Sequence, residues 1–350
     1  MSGQFLGREG KKITKQISAL IPVYNQKKYL EKFLSSITNH LKNGCQIDIS
    51  DNRSTDGSLK ELEIFAEQQP SSQIRFFRQE TNRGIVANNS FLWEHAESPF
   101  VFFAHPDDQY SEDFVKSGLQ PYKQNPELVL SMCQLGFMDE QGRPCLRPKK
   151  DVLLPNPQEM TRPEMLQFFM YGSTGLYIYG IFNKQKLDQL GIPIAELAVH
   201  PFWEYPPILA CFLTGRVATV PEKEFTYRLH INAAANSPHV DTHLTGPPVV
   251  TDGKPLHAHA ARFIIRFWEI VDLYSPRSSW GKVMDKFWLL LGAWRSEGGS
   301  VNWYWKVKES LWRDLWTFAK RKEWKGFLIL ASFIPLKIRI LRLLIKQRMF

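Results

Sequence analysis

The chain has 350 residues, 43% hydrophobic and 23% charged, a balance that excludes an intrinsically disordered chain and leaves room for one large core or two modest ones. Its four cysteines, Cys45, Cys133, Cys145 and Cys211, lie far apart with no Cys-x-x-Cys pair, which excludes a zinc knuckle or a disulfide scaffold and implies reduced thiols. The formal charge of +9 equals the net charge of residues 301–350 alone, where 12 Lys and Arg stand against 3 Asp and Glu; the rest is neutral, which excludes a basic nucleic-acid-binding core.

Residues 1–16 are polar and lysine-bearing, without the apolar run of a secretory signal, so a cytosolic catalytic part is expected. Residues 17–23 read as a buried strand. Residues 27–42 then carry Leu30, Phe33, Leu34, Ile37 and Leu41 at helical spacing, one core-facing stripe. Strands are predicted over 46–50, 74–77 and 100–104, with helices over 58–68 and 85–95 between them. This β-α-β-α-β-α-β alternation implies a mainly parallel sheet flanked by helices, its strands' carboxyl ends on one edge. Beyond residue 111 a helix is expected over 113–123, a strand over 128–133, a hairpin turn at Asp139-Glu-Gln-Gly142 and a Pro-rich loop over 144–157. A strand over 175–183, a helix over 202–214 and a strand over 216–220 follow. Residues 232–259 form a long connection fit for a lid, and from 260 the chain turns aromatic and helical.

Chemistry-bearing residues gather where these strands end. Pro22 is placed to stop ladder pairing, leaving Tyr24 and Asn25 at the ligand-binding edge. Asp51 can accept a hydrogen bond from the imide N–H of uracil or thymine, while Asp56 and Ser58 suit capping of free helix amides. Gly84 supplies backbone freedom; Arg83 serves either a nucleotide or solvent. Asp107-Asp108 follows a buried apolar run, where paired carboxylates can hold a divalent cation against a diphosphate. Glu204 is a candidate general base, or else a favourable charge at a helix start.

Four motifs, Ile21-Pro-Val-Tyr-Asn25, Asp51-Asn-Arg-Ser-Thr-Asp-Gly-Ser58, Asn82-Arg-Gly-Ile-Val-Ala-Asn88 and Asp107-Asp108, resemble in order and spacing those of family 2 glycosyltransferases of the GT-A fold. The likeness covers roughly residues 15 to 230 and implies a Rossmann-like α/β domain that moves a sugar, with inversion, from a nucleoside-diphosphate donor to an acceptor hydroxyl. It implies donor contacts from Pro22, Tyr24, Asn25, Asp51, Arg53, Arg83, Gly84, Asn88, Asp107 and Arg228, with a UDP-sugar favoured. Mg²⁺ or Mn²⁺ would be held by Asp107, Asp108 and His230, and Glu204 would act as base. His105 stands where the family's usual Asp-x-Asp-Asp has its first acid, and Tyr205 where a second acid commonly follows the base.

The implied organisation is a polar segment (1–16), a catalytic domain (17–231) with a nucleotide half (17–110) and an acceptor half (111–231), a connection (232–259) and a helical extension (260–350). Past Pro335, Arg339, Arg342 and Lys346 oppose Ile338, Leu341, Leu344 and Ile345, the pattern of an interfacial helix at an anionic membrane. The expected enzyme is a peripheral cytoplasmic-face glycosyltransferase of surface glycan assembly with a glycan or lipid-linked acceptor. Two alternatives stand beside it: a non-catalytic nucleotide-sugar-binding protein of the same fold, and a zinc hydrolase using His239, Asp241, His243, His257 and His259.

Overall fold

A computed structural model describes residues 16–69, 73–145, 154–171, 174–197 and 204–229, with parts of 267–289. The first strand, β1 (Ile17–Val23), is followed by α1 (Lys27–Lys42), β2 (Gln46–Asp51), α2 (Ser58–Gln68), β3 (Ile74–Arg78), α3 (Gly84–His95) and β4 (Phe100–Phe103). All five apolar positions of the α1 stripe are buried, and His40 lies buried on the same face. In β2 the polar residues Gln46, Asp48 and Ser50 are as buried as the isoleucines between them. Two of them have a local answer: Arg75 of β3 grips Asp48 with two bonds of 2.7 and 2.8 Å, and Ser50 bonds Asn88 of α3.

The second half contributes β5 (Gln109–Tyr110), α4 (Phe114–Gln124), β6 (Leu130–Met138), β7 (Pro144–Cys145), α5 (Arg162–Tyr171), β8 (Ile181–Asn183), α6 (Lys184–Gln189), α7 (Ile194–Leu197), α8 (Tyr205–Leu213) and β9 (Val217–Arg228). Among the described residues one sheet spans both halves in the order β3-β2-β1-β4-β8-β6-β9-β5, with β7 hydrogen-bonded to β6. Strands β1 to β4, β6 and β9 run one way; β5, β7 and β8 are reversed. The carboxyl ends of the six co-directed strands therefore share an edge, and the loop entering β8 meets it as well.

Three sequence expectations are corrected. Pro22 does not end β1: Pro22 and Val23 remain in register with Ser50 and Asp51. Leu20 turns its carbonyl toward Ala104 beyond β4, so Pro22, two residues on, presents its missing N–H to that same side. Only the β4 side is released, and a gap opens there at the ligand edge. Residues 174–179 form a 3₁₀ turn rather than the start of a strand, and only Ile181–Asn183 is extended. At Gly180 a Cβ would stand 2.5 Å from the Ser131 carbonyl, so backbones cross there too closely for any larger residue. Finally, β9 does not stop at Val220: its register against β6 shifts past Pro221, which cannot donate to the ladder, and pairing resumes to Arg228.

The core continues into the later chain. Phe267, Ile270, Val271 and Leu289 are buried with it, and Phe267 meets Phe169 of α5 edge-on at 5.4 Å.

Candidate active site

The loops after β1 and β2 are stitched together at the carboxyl edge. Asn25, in the left-handed region at φ 53°, donates its N–H to Ser54 Oγ at 3.0 Å and accepts the Thr55 N–H on its side chain at 2.8 Å. Gln26 N–H donates to Ser58 Oγ and Lys27 N–H to Asp56 Oδ2, both at 2.9 Å. Asp56 and Ser58 therefore do cap amides, but those of α1 rather than only their own helix; the N-cap of α2 is Gly57, with no side-chain bond. Tyr24 stands 37% exposed beside this seam.

Asp51 ends β2 only 1% exposed. Its Oδ2 accepts the Ser54 N–H at 3.1 Å, while Oδ1 is buried with no hydrogen-bond partner among the described residues. A cavity of about 410 Å³ lies against it, walled by Arg53, Ser54, Thr55, Leu59, Arg78 and Gln79. Arg53 adopts φ 65° and donates to the Glu80 carbonyl. Asn52, part of the 51–58 motif but given no role there, binds the next loop: its Oδ1 takes the Arg83 N–H at 2.9 Å and its Nδ2 reaches Asn82 Oδ1 at 2.8 Å. Gly84 has φ 77°, the conformation for which a glycine was expected. Arg83 lies 5.8 Å from the Phe91 ring and bonds Gln79 at 3.4 Å. Asn88 turns inward: it donates to the Ser50 carbonyl and accepts the Ser50 hydroxyl, which fastens α3 to β2.

Across the β1–β4 gap, the turn His105-Pro-Asp-Asp108 is closed by the Asp108 N–H on the His105 carbonyl at 3.2 Å. The ligand atoms of His105, Asp107 and Asp108 all lie within 4.8 Å of one another, close enough to share one divalent ion. Asp108 is 3% exposed; Oδ1 accepts the Arg228 N–H at 2.8 Å and Oδ2 is buried without a partner among the described residues. Burial, then the adjacent Asp107 charge, pushes the Asp108 carboxyl well above the ordinary range against the pull of Arg228. Burial likewise lowers His105, opposed by Asp107, so the imidazole is neutral and fit to be a ligand. A bound cation would reverse the penalty on the Asp108 carboxylate. Tyr179 stands edge-on to His105 at 5.3 Å and stacks on Phe225 of β9; neither the tyrosine nor the 3₁₀ turn that aims it carries a sequence signal.

Glu204 is the N-cap of α8, a helix that leads back from this edge into β9. Burial raises its carboxyl to about 7, against a backbone hydrogen bond that lowers it. Tyr205 is a packing residue: its ring lies against Phe169 and so near Gly175 that a Cβ there would be 3.1 Å away. His230 and the His239 to His259 cluster lie outside the described residues.

Residues 18–183 match the family described as Glycosyl transferase family 2. Among curated proteins, a putative teichuronic acid biosynthesis glycosyltransferase, TuaG of Bacillus subtilis, is 22% identical over 51% of this chain and 66% of its own. A processive diacylglycerol beta-glycosyltransferase of Mycoplasma pneumoniae is 26% identical over 29% of each chain. The chain thus spans from under a third to about two thirds of these relatives' lengths. Among solved structures, S. aureus TarS residues 1–349 in complex with UDP-GlcNAc superposes with a TM-score of 0.60 at 14% identity over 92% of both chains, a likeness of fold.

Proposed function

Because the chain belongs to glycosyl transferase family 2 through residues 18–183, we propose that it moves a sugar from a nucleoside-diphosphate sugar to an acceptor hydroxyl, with inversion at the anomeric carbon. One observation carries the reading. Two carboxylates on the carboxyl edge, Asp51 and Asp108, each keep one buried oxygen without a partner among the described residues, the first beside a cavity, the second beside His105 and Asp107. Buried acceptors of this kind cost free energy unless a ligand completes them. An imide N–H of uracil suits Asp51 Oδ1, which favours a UDP-sugar, in keeping with the nucleotide bound by TarS.

Asp107, Asp108 and His105 would hold the divalent ion, whose contribution is to offset the charge that grows on the departing diphosphate. With a nitrogen in place of a third carboxylate, the donor set favours Mn²⁺ over Mg²⁺. Glu204 takes the proton of the attacking hydroxyl. The new bond forms between the acceptor oxygen and the anomeric carbon as the bond to the diphosphate breaks, and the nucleoside diphosphate leaves with that electron pair. The acceptor we take to be a growing glycan or a lipid-linked saccharide at the cytoplasmic membrane face.

The test is release of nucleoside diphosphate from UDP-, GDP- and dTDP-sugars with Mn²⁺ or Mg²⁺ across a panel of acceptors. Turnover is expected with a UDP-sugar and lost in Asp107→Ala/Asp108→Ala protein. Full activity in that double variant would overturn the proposal, and donor binding without turnover on any acceptor would favour a binding protein.

A further inference from the structure

Arg228 ends β9 and is 6% exposed, with its bonding concentrated on the turn that carries the two aspartates. Its N–H donates to Asp108 Oδ1 at 2.8 Å and its Nε to the Asp107 carbonyl at 2.6 Å. Nη1 donates to the carbonyls of Asp139 at 3.0 Å and Glu140 at 3.2 Å, in the hairpin between β6 and β7. Gly142 sits at the bend of that hairpin with φ 81°, where a Cβ would meet Nη1 at 3.5 Å, an ordinary contact distance. The guanidinium face lies 4.9 Å from the ring centroid of Tyr29 in α1, a cation–π contact. One side chain therefore joins β9, the β4–β5 turn, the β6–β7 hairpin and α1. The Asp108 carboxylate, which accepts the Arg228 backbone N–H, has its other oxygen buried and without a partner among the described residues, beside His105 and Asp107.

We propose that Arg228 is a positioning residue: with Tyr29 behind it, it holds the Asp107-Asp108 turn in the shape that binds the divalent ion, and it is not a ligand of the donor's diphosphate. The inference rests on the cation-binding role given to the doublet above. A diphosphate ligand would present its N–H groups to the cleft, whereas Nε and Nη1 here are committed to three backbone carbonyls, Nη2 lies beside Gly142 of the hairpin, 3.9 Å from where a Cβ would stand, and one face is covered by an aromatic ring. Lysine cannot replace such a fork, because it brings a point charge without the planar spread of donors.

Two measurements on the full chain separate the roles: Mn²⁺ binding by electron paramagnetic resonance without nucleotide, and UDP binding by calorimetry in EDTA. Arg228→Gln is expected to weaken Mn²⁺ binding by about 10-fold or more, the usual effect of removing a partner that orients a metal ligand, with metal-free UDP affinity unchanged. Tyr29→Leu should act in the same direction with a smaller effect. Wild-type Mn²⁺ affinity in Arg228→Gln, or a loss of UDP affinity in EDTA, overturns the proposal. If Arg228→Gln fails to fold by circular dichroism, Arg228→Lys is read by the same two criteria. Failure of the cation reading itself looks different: the unsubstituted protein, like Asp108→Asn, would bind no Mn²⁺, and the proposal would fall with it.

Discussion

Glu204 gathers several constraints into one titration. Burial raises its carboxyl to about 7, so near neutral pH a sizeable fraction of the enzyme carries a protonated and therefore inactive base. The ionised form does the work, hence turnover must rise as pH increases through the folded value. The kcat profile is expected to climb to a plateau with its midpoint near the value that burial sets. Glu204→Gln should lower kcat by about 10²- to 10⁴-fold, the range for loss of a general base, while donor affinity is kept. A wild-type kcat that is flat across neutral pH, or a Glu204→Gln enzyme of full activity, would remove the residue from the reaction. The assignment is open in the sequence because a charge at a helix start is commonplace; what distinguishes Glu204 is the raised carboxyl that its partial burial produces.

At the scale of elements, α1 shows both what the sequence discloses and what it hides. Its apolar stripe is local information, readable from spacing alone, and each member is buried as expected. His40 falls on that same face, fully buried, with neither ring nitrogen hydrogen-bonded among the described residues and its ring 6.3 Å from Phe102. Burial lowers its pKa, so the unfolded chain takes up the proton more readily than the native one. The sign follows: the contribution to stability is complete above the unfolded value of about 6.5 and is lost as pH falls below it. Cys45, whose N–H bonds the His40 carbonyl, is pushed up to about 12 and stays silent in that window. His40→Leu is expected to flatten the acid limb and to add about 1–3 kcal/mol, since it removes two buried nitrogens that lack partners. Urea unfolding of both proteins from neutral to mildly acidic pH checks this; equal slopes would refute it. Other elements eluded the sequence for the opposite reason. Residues 174–179 alternate like a strand but turn, because Tyr177 bonds Thr219 at 2.8 Å and Gly180 must pass the Ser131 carbonyl. The extension of β9 beyond Pro221 is likewise decided by pairing with β6 and β5 rather than by propensity. Arg228 could be placed near the site from its motif, yet its partners at Asp107 and Asp139 are non-local and invisible in one dimension.

Over the whole molecule, the aromatic extension divides into a part that belongs to the core and a part whose role the charge pattern suggests. Asp285, with no exposed side-chain area, holds Arg162 of α5 by two bonds of 2.7 and 2.8 Å and accepts further bonds from Ser275 and Arg277. Arg162 in turn donates to the Leu213 carbonyl at 3.0 Å, closing the end of the helix that begins after Glu204. Ser275 and Asp285 are thus tied to α5, and through Arg162 to the end of α8. Removing Asp285 leaves both arginines without their carboxylate, a loss that costs about 3–5 kcal/mol for a buried pair. Among the described residues no helix is long and apolar enough to cross a membrane. The excess of nine positive charges lies beyond, in residues 301–350, where basic and apolar residues share one segment. Attraction to anionic lipid is worth about 1 kcal/mol per Lys or Arg near the surface and is screened by salt. A chain ending at Ser300 is therefore expected to keep turnover on a soluble acceptor and to lose binding to phosphatidylserine vesicles. A chain ending before Phe267 should be destabilised and lose activity along with fold. Sedimentation with vesicles at low and high salt, beside thermal melts, tests both cuts. Undiminished vesicle binding by the Ser300 chain would refute the anchor, and an intact melt for the shorter chain would refute the tie through Asp285.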